Sequence, residues 1–217
     1  MKNTRGLWWI ILGAMLILSA LFLVFYNFRQ DNQSGETASE ILSELKEALP
    51  QTEAVQPTEF IESATHDNND IFEEYEEVTE TLPEEKLVEI DSNYYIGTIQ
   101  IPSLGIELPV LSEWSYPNLN LSPCRYKGSI SGGDLIIAAH NYRSHFGRIN
   151  ALNSGDSIII TDGNGISHSY EIIYSEIIDG YNIESMEFGS AENWDLTIFT
   201  CTLSGQSRVT VRAIELK

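Results

Sequence analysis

Apolar and polar positions follow three different rhythms along this chain, and the changes of rhythm divide it. "LWWIILGAMLILSALFLVFYNF", Leu7 to Phe28, contains no charged side chain. At about 1.5 Å rise per residue, a helix of that length crosses a hydrocarbon layer of about 30 Å. The apolar region of a cleaved signal peptide is shorter, about 7–15 residues, and no small-x-small cleavage site follows in "LVFYNFRQ". The segment therefore reads as an uncleaved transmembrane helix. The next stretch is polar, with one helical period inside it: in "TASEILSELKEALP", Ile41, Leu42, Leu45 and Leu49 form a stripe, Thr37 and Glu40 have capping-box spacing, and Pro50 is a stop. This predicts a short helix, frayed within a tether. "NNDIFEEYEEVTETLPEEK", with Phe72 and Tyr75, reads as a solvated charge run.

From Tyr94 the period falls to two. The runs "IGTIQI", "ELPVL", "DLIIAAH", "DSIIIT", "SYEIIYSEII", "DLTIFTC" and "RVTVRAIEL" are separated by Gly, Asn, Asp and Pro, the pattern of an all-β sandwich or barrel. No internal repeat is visible. The expected organisation is a cytoplasmic N-terminus and membrane anchor over 1–29, an acidic and largely disordered linker over 30–92, and a β-rich domain over 93–217.

Charge sharpens this division. The formal net charge is −20, of which residues 1–30 carry +3, 31–90 carry −16 and 91–217 carry −7. Acidity is thus a property of the middle segment, and the chain lacks the clustered cations that nucleic acid requires. Lys2 and Arg5 precede the apolar span while Arg29 alone follows it, which by the positive-inside rule leaves the N-terminus in the cytoplasm and the rest outside. The two cysteines are too few for a disulfide scaffold.

Candidate chemistry gathers near the C-terminus. "DLTIFTC" and "RVTVRAIEL" flank "TLSGQS", in which Ser204 and Gly205 make a tight hairpin turn. That turn places Cys201 opposite Arg208 on one face, with Cβ atoms about 5 Å apart. A one-residue slip would separate them. A guanidinium at that distance favours the reactive thiolate and suits an oxyanion on an attacked carbonyl. A thiol nucleophile also needs a proton acceptor and donor. Of the four histidines, His66 lies in the acidic segment and His168 in "DGNGISHSY", a turn entering a strand. His140 ends the apolar run "DLIIAA", where a scaffold presents catalytic groups, and His145 in the following loop is its rival. Cys124, in "LSPCRYKGS", reads as a free thiol in a loop, with an oxidative pairing to Cys201 as the alternative. Arg125 and Lys127 beside it read as solvated charges.

The β-rich region resembles the sortases, surface cysteine transpeptidases of mainly Gram-positive bacteria. "TIFTC", Thr197 to Cys201, is similar to the family's TLxTC signature, and Arg208 matches the family arginine. "IIAAHNYRSHFGRINALNSGD" resembles the segment carrying the family histidine, and "IGTIQIPSLGIELPV" the opening strands. Ile198 stands where Leu is usual, and Ala139 precedes the histidine where Gly is common. The resemblance covers roughly Tyr94 to Ala213 with its motifs in family order. It implies a closed β-barrel with short helices and loops, and catalysis by His140, Cys201 and Arg208. The partners it implies are secreted proteins bearing a Leu-Pro-x-Thr-Gly-like sorting signal and an amine acceptor such as a cell-wall precursor. It requires no metal or organic cofactor, although calcium assists some relatives. Substrate choice is expected in the loop Asp179 to Trp194, and the segment before the domain lacks the Asp-Pro-Trp lid of pilin-building relatives.

The rivals are a cysteine peptidase, which delivers the acyl group to water, and an anchored binding module in which Cys201 is a core thiol. Papain-like enzymes place Cys before His, opposite to the order here, and the Ser-His-Gly-Cys string of L,D-transpeptidases is absent.

Overall fold

The computed structural model describes residues 4–50, 85–187 and 193–216. His66, Phe72 and Tyr75 lie outside these residues. Helix α1 (Thr4–Ala48) precedes nine strands: β1 (Val88–Ile90), β2 (Asn93–Ile101), β3 (Ile106–Leu111), β4 (Cys124–Lys127), β5 (Leu135–Ala139), β6 (Ser157–Asp162), β7 (Ser167–Asp179), β8 (Leu196–Cys201) and β9 (Ser207–Glu215). Two further short helices, α2 (Tyr116–Leu119) and α3 (Ile183–Glu187), lie between strands. The strand order is β1-β2-β3-β4-β5-β8-β9-β7-β6, and β2 also pairs with β6, which closes eight strands into a barrel with β1 attached outside. The all-β closed barrel with short helices expected from the sequence is the fold observed. Two strands escaped the sequence pattern, β1 and β4, because three and four residues are too few to display alternation.

One core fills the barrel with inward residues from every long strand, among them Ile99, Val110, Leu135, Ile137, Ile158, Ile172, Ile198 and Val211. A second lies on the outer face, with Tyr95, Leu111, Cys124, Ile136, Ala138, Ile178, Met186 and Phe199. Strand β5 contributes alternately to both, which is why "LIIAA" reads as an unbroken apolar run. Cys124 is fully buried in the outer core at the start of β4, not in a loop, and burial pushes its thiol pKa up to about 12. Both cysteines are free. Arg125 is likewise not solvated: Nε donates to the Ser112 carbonyl at 2.9 Å and the guanidinium pairs with Glu85. Lys127 pairs with Glu187 at 2.5 Å and stays exposed.

The expectation of a separate, frayed helix in a tether is overturned. Helix α1 runs unbroken from the apolar span to Ala48, so Thr37 and Glu40 sit mid-helix and cap nothing. Its apolar window has mean hydropathy 2.5, is wholly unburied by protein, and is long enough to cross a membrane. Beyond it, one face of the same helix docks against β3 and β1, burying Ser34, Ala38, Ile41 and Leu45. A helix already nucleated by its apolar half extends cheaply, and tertiary packing then holds the polar half. The sequence showed the stripe but not the surface that receives it.

Where α1 meets the barrel it seals His145, which is 0% exposed. His145 Nε2 lies 3.2 Å from Ser34 Oγ, whose hydroxyl donates to the Asn120 carbonyl at 2.6 Å, so the ring nitrogen is the donor of its pair. Burial first, and His140 nearby second, push the His145 pKa down to about 4.

Two predictions follow from these contacts. Gly97, at φ +143°, pairs with Asp162 where β2 closes on β6, and a Cβ there would collide with the Thr161 carbonyl. Gly97→Ala should destabilise the barrel by about 3 kcal/mol, read as a fall in the thermal midpoint. For His145, the unfolded chain binds a proton near the ordinary pKa of 6.5 while the folded protein resists one until about 4. The unfolded state thus binds more protons in this window, and stability falls as pH drops from 6.5 to 4. The thermal midpoint of the wild type should decline across that range, and His145→Gln should flatten the slope.

Candidate active site

The site is built by strand pairing. Strands β5 and β8 run parallel, with Ala138 opposite Phe199 and Ala139 opposite Thr200. The residues that follow are His140, one past the end of β5, and Cys201, the last of β8, so both emerge at the same end of neighbouring strands, which lie about 4.8 Å apart in a sheet. Strand β9 returns antiparallel to β8 with Cys201 opposite Arg208. Side chains alternate between faces. Phe199 lies in the outer core and Ile198 in the inner one, so Cys201 shares the outer face with Phe199, and His140 opens on the same side, beside Ala138 and Phe199.

The expected two-residue turn is a four-residue loop, Leu203 to Gln206. Thr202 N donates to Ser207 O at 2.9 Å, Gly205 N donates to Thr202 O at 2.9 Å, and Gly205 takes φ +73°. Two residues more leave the parity unchanged, which is why the pairing of Cys201 with Arg208 survives the wider turn. Arg208 Nη1 donates to the carbonyls of Gly205 at 3.1 Å and Ser207 at 3.2 Å, which ties the guanidinium to the turn.

The strand ends are cross-linked around this point. Thr200 Oγ1, buried, donates to the Ala139 carbonyl at 2.8 Å, and Phe146 N donates to the His140 carbonyl at 3.2 Å. The His140 ring lies 4.7 Å from Tyr142, centroid to centroid. Burial lowers the His140 pKa below the ordinary 6.5, so its imidazole is neutral at pH 7. His145, by contrast, is walled off from solvent beneath α1. His168 is paired elsewhere, Nδ1 to Glu215 at 2.9 Å.

His140, Cys201 and Arg208 line one groove of about 230 Å³. An aromatic chain forms one wall: Trp114 lies 5.9 Å from Tyr126, and Tyr126 5.4 Å from Phe199, both edge-on. Ile183 and Met186 of α3 form the other. That wall is fastened by Arg212, 0% exposed, which donates to Thr197 Oγ1, Met186 O and Ser185 O, each at 2.7 Å, pairs with Glu176 at 3.2 Å, and lies 4.4 Å over the Trp194 ring. Sequence reading missed Arg212 and the aromatic wall. Trp114 and Tyr126 come from separate loops and strands, and only their pairing partners bring them together. The loop expected to govern substrate choice contributes Asp179, Gly180, Asn182, Ile183 and Met186 to the groove; residues 188–192 of it lie outside the described residues. Among the described residues no group of three or more His, Cys, Asp or Glu side chains is arranged to hold a metal ion.

Comparison with known proteins places this architecture. The family model for the sortase domain matches residues 99–215. No curated protein matches the chain. Among solved structures it is similar to sortase A from Corynebacterium diphtheriae, at 22% identity and a TM-score of 0.52, over 58% of this chain and 62% of that one. It is similar to sortase C1 from Streptococcus agalactiae at 23% identity and a TM-score of 0.52, over 59% and 71% of the two chains. A Clostridium perfringens sortase D5 transpeptidase matches at 23% identity and a TM-score of 0.50, over 57% and 79%. The chain thus spans under two thirds of the length of the first of these relatives, and the likeness to all three is one of fold. With the family model covering more than half of its residues and the same closed barrel beneath it, the chain belongs to the sortase family.

Proposed function

We propose that this sortase is a membrane-anchored cysteine transpeptidase, with His140, Cys201 and Arg208 as its catalytic groups. The apolar half of α1 anchors it, its N-terminus is cytoplasmic, and its barrel domain works outside the cell. The substrate is a secreted protein carrying a Leu-Pro-x-Thr-Gly-like sorting motif, and the acceptor is an amine of a cell-wall precursor or of another protein.

In the first step neutral His140 takes the Cys201 thiol proton, the sulfur attacks the scissile carbonyl, and the Arg208 guanidinium holds the oxyanion that forms. His140 gives a proton to the departing amine, the C–N bond breaks, and a thioester remains. In the second step the acceptor amine attacks the thioester, His140 takes its proton, the C–S bond breaks, and that proton passes to the departing Cys201 sulfur as the new amide is released. The observation that carries this reading is the register: Cys201 faces Arg208 across β8 and β9, and His140 follows the β5 residue beside Thr200, all three opening on one groove. A sealed core thiol, the alternative use of a cysteine, describes Cys124 and not Cys201.

The decisive experiment incubates the full chain, in detergent or nanodiscs, with a library of Leu-Pro-x-Thr-Gly-like peptides, with and without an amine acceptor, and reads products by mass spectrometry. Ligated product that depends on the amine and vanishes in Cys201→Ala supports transfer. Retained ligation by Cys201→Ala refutes it, and hydrolysis alone favours a peptidase. Arg208→Ala should lower kcat by about 10²-fold or more, and Arg208→Lys by less, because a lysine keeps the charge but not the fork of donors. The pH dependence of the second step offers a separate check. Aminolysis of the preformed thioester needs neutral His140, whose pKa burial holds below 6.5. Its rate per concentration of unprotonated amine should rise with pH to a midpoint below 6.5 and then level. A midpoint above 7 would contradict the assignment of His140 as base.

A further inference from the structure

The stretch of α1 between the apolar span and the second core reaches the loop that follows His140. Asp31 accepts there from three donors: Arg143 N at 3.2 Å, Ser144 N at 3.1 Å and Ser144 Oγ at 2.5 Å. Ser144 Oγ also lies within 3.1 Å of the Asp31 carbonyl. One turn further on, Ser34 donates to Asn120 O and receives the His145 ring, as described above. Gly35 permits this approach: a Cβ on it would stand 2.9 Å from Ser144 Cβ. Ala38 follows, buried in the barrel core. Asp31, Ser34, Gly35 and Ala38 recur at three- and four-residue spacing, so they form one small, polar-then-apolar face of a single helix.

The loop they grip is short and internally stiff. His145 N and Gly147 N both donate to Tyr142 O, at 3.0 and 2.8 Å, and Phe146 N donates back to His140 O. Tyr142 in turn packs on both His140 and His145, with ring centroids 4.7 and 5.8 Å away. Whatever fixes Arg143, Ser144 and His145 therefore fixes the side chains against which the His140 imidazole rests.

We infer that Asp31, Ser34 and Gly35 are positioning residues of the active site, through which the membrane helix itself braces the His140 loop. The anchor is on this inference a structural part of the catalytic apparatus, not a tether that merely confines it. The inference rests on the assignment of His140 as the acid–base group. Asp31 and Gly35 meet the His140 loop, whereas Ser34 also bonds Asn120 at the end of α2, whose Leu119 lines the groove, so loss of the Asp31 and Gly35 contacts should act on turnover more than on peptide binding.

Gly35 gives the sharpest test because two effects of substituting it have opposite sign. Gly35→Ala favours the helix, since Gly is a poor helix former, yet it crowds Ser144. Full-length protein in nanodiscs, assayed for amine-dependent ligation of a sorting-motif peptide, should show kcat reduced about tenfold in Asp31→Ala and in Gly35→Leu, and several-fold in Gly35→Ala. KM for the peptide should stay within twofold. Ser34→Thr, which keeps the hydroxyl, should retain far more activity than Ser34→Ala. Hydrogen exchange supplies a readout independent of turnover: the Arg143 and Ser144 amides should exchange at least tenfold faster in Asp31→Ala and Gly35→Leu, with the β5 and β8 amides unchanged. The inference is overturned if these two variants turn over within twofold of wild type, or if the two loop amides exchange at wild-type rates. Failure of the wild type to ligate at all is a different result and sinks the transpeptidase assignment instead.

Discussion

The parallel pairing of β5 with β8 is the constraint from which the site descends. Parallel neighbours end at the same edge of a sheet, so the residues that follow Ala139 and Thr200 meet although 61 positions separate them in the chain. Strand β9 then starts where β8 ends, and its antiparallel register adds Arg208 to the same edge and the same face. Parallel strands in a barrel wall are covered on both sides. That requirement accounts for the apolar β5, with Ile136 and Ala138 under the groove and Leu135 and Ile137 in the barrel. His140, the proposed acid–base group, is the first residue after this run, where a polar side chain no longer has to be buried.

The groove has two walls held by different means. On the α3 side a single buried guanidinium collects three carbonyl or hydroxyl acceptors, a carboxylate and the face of Trp194. Removing one partner of such a cluster leaves a buried charge short of its compensation, a larger loss than the cluster's net contribution. Arg212 thus behaves as a pin for a five-residue helix too short to hold itself. On the His140 side the brace is a long helix whose stability comes from elsewhere, its outer half packed on β1 and β3 through Ile41 and Leu45.

The barrel was legible in the sequence because its long strands carry period-two runs bounded by turn residues, and the facing of Cys201 and Arg208 was legible because the two-residue turn expected and the four-residue loop observed share one register. Three things were not. The polarity of residues 29–37 reads as linker, since Asp31 and Ser34 show their purpose only when Ser144, Asn120 and His145 are brought to them. His140 and His145 lie five residues apart in one loop, and which of them is sealed depends on a helix more than a hundred residues upstream. Cys124 sits in a strand of four residues that is recruited by β3 and β5, not by its own pattern. In each case a local signal was present and its partner was distant.

Electrostatic placement distinguishes Arg208 from the other cations around the groove. In a chain of net charge −20, Arg212 pairs with Glu176, Arg125 with Glu85 and Lys127 with Glu187. Among the described residues Arg208 makes no ion pair, and the acceptors that orient it are the carbonyls of Gly205 and Ser207. The difference has a chemical consequence. A carboxylate beside the guanidinium would neutralise it in the resting protein, and a developing oxyanion would have to compete with that partner. Carbonyl dipoles fix the direction of the fork without an ion-pair partner, so in the proposed mechanism the gain on forming an oxyanion is kept for the step in which it appears. The same guanidinium lies across the strand from Cys201, the nucleophile of the proposed reaction. In the proposed mechanism, one residue oriented by its own turn thereby stands beside both the nucleophile and the intermediate.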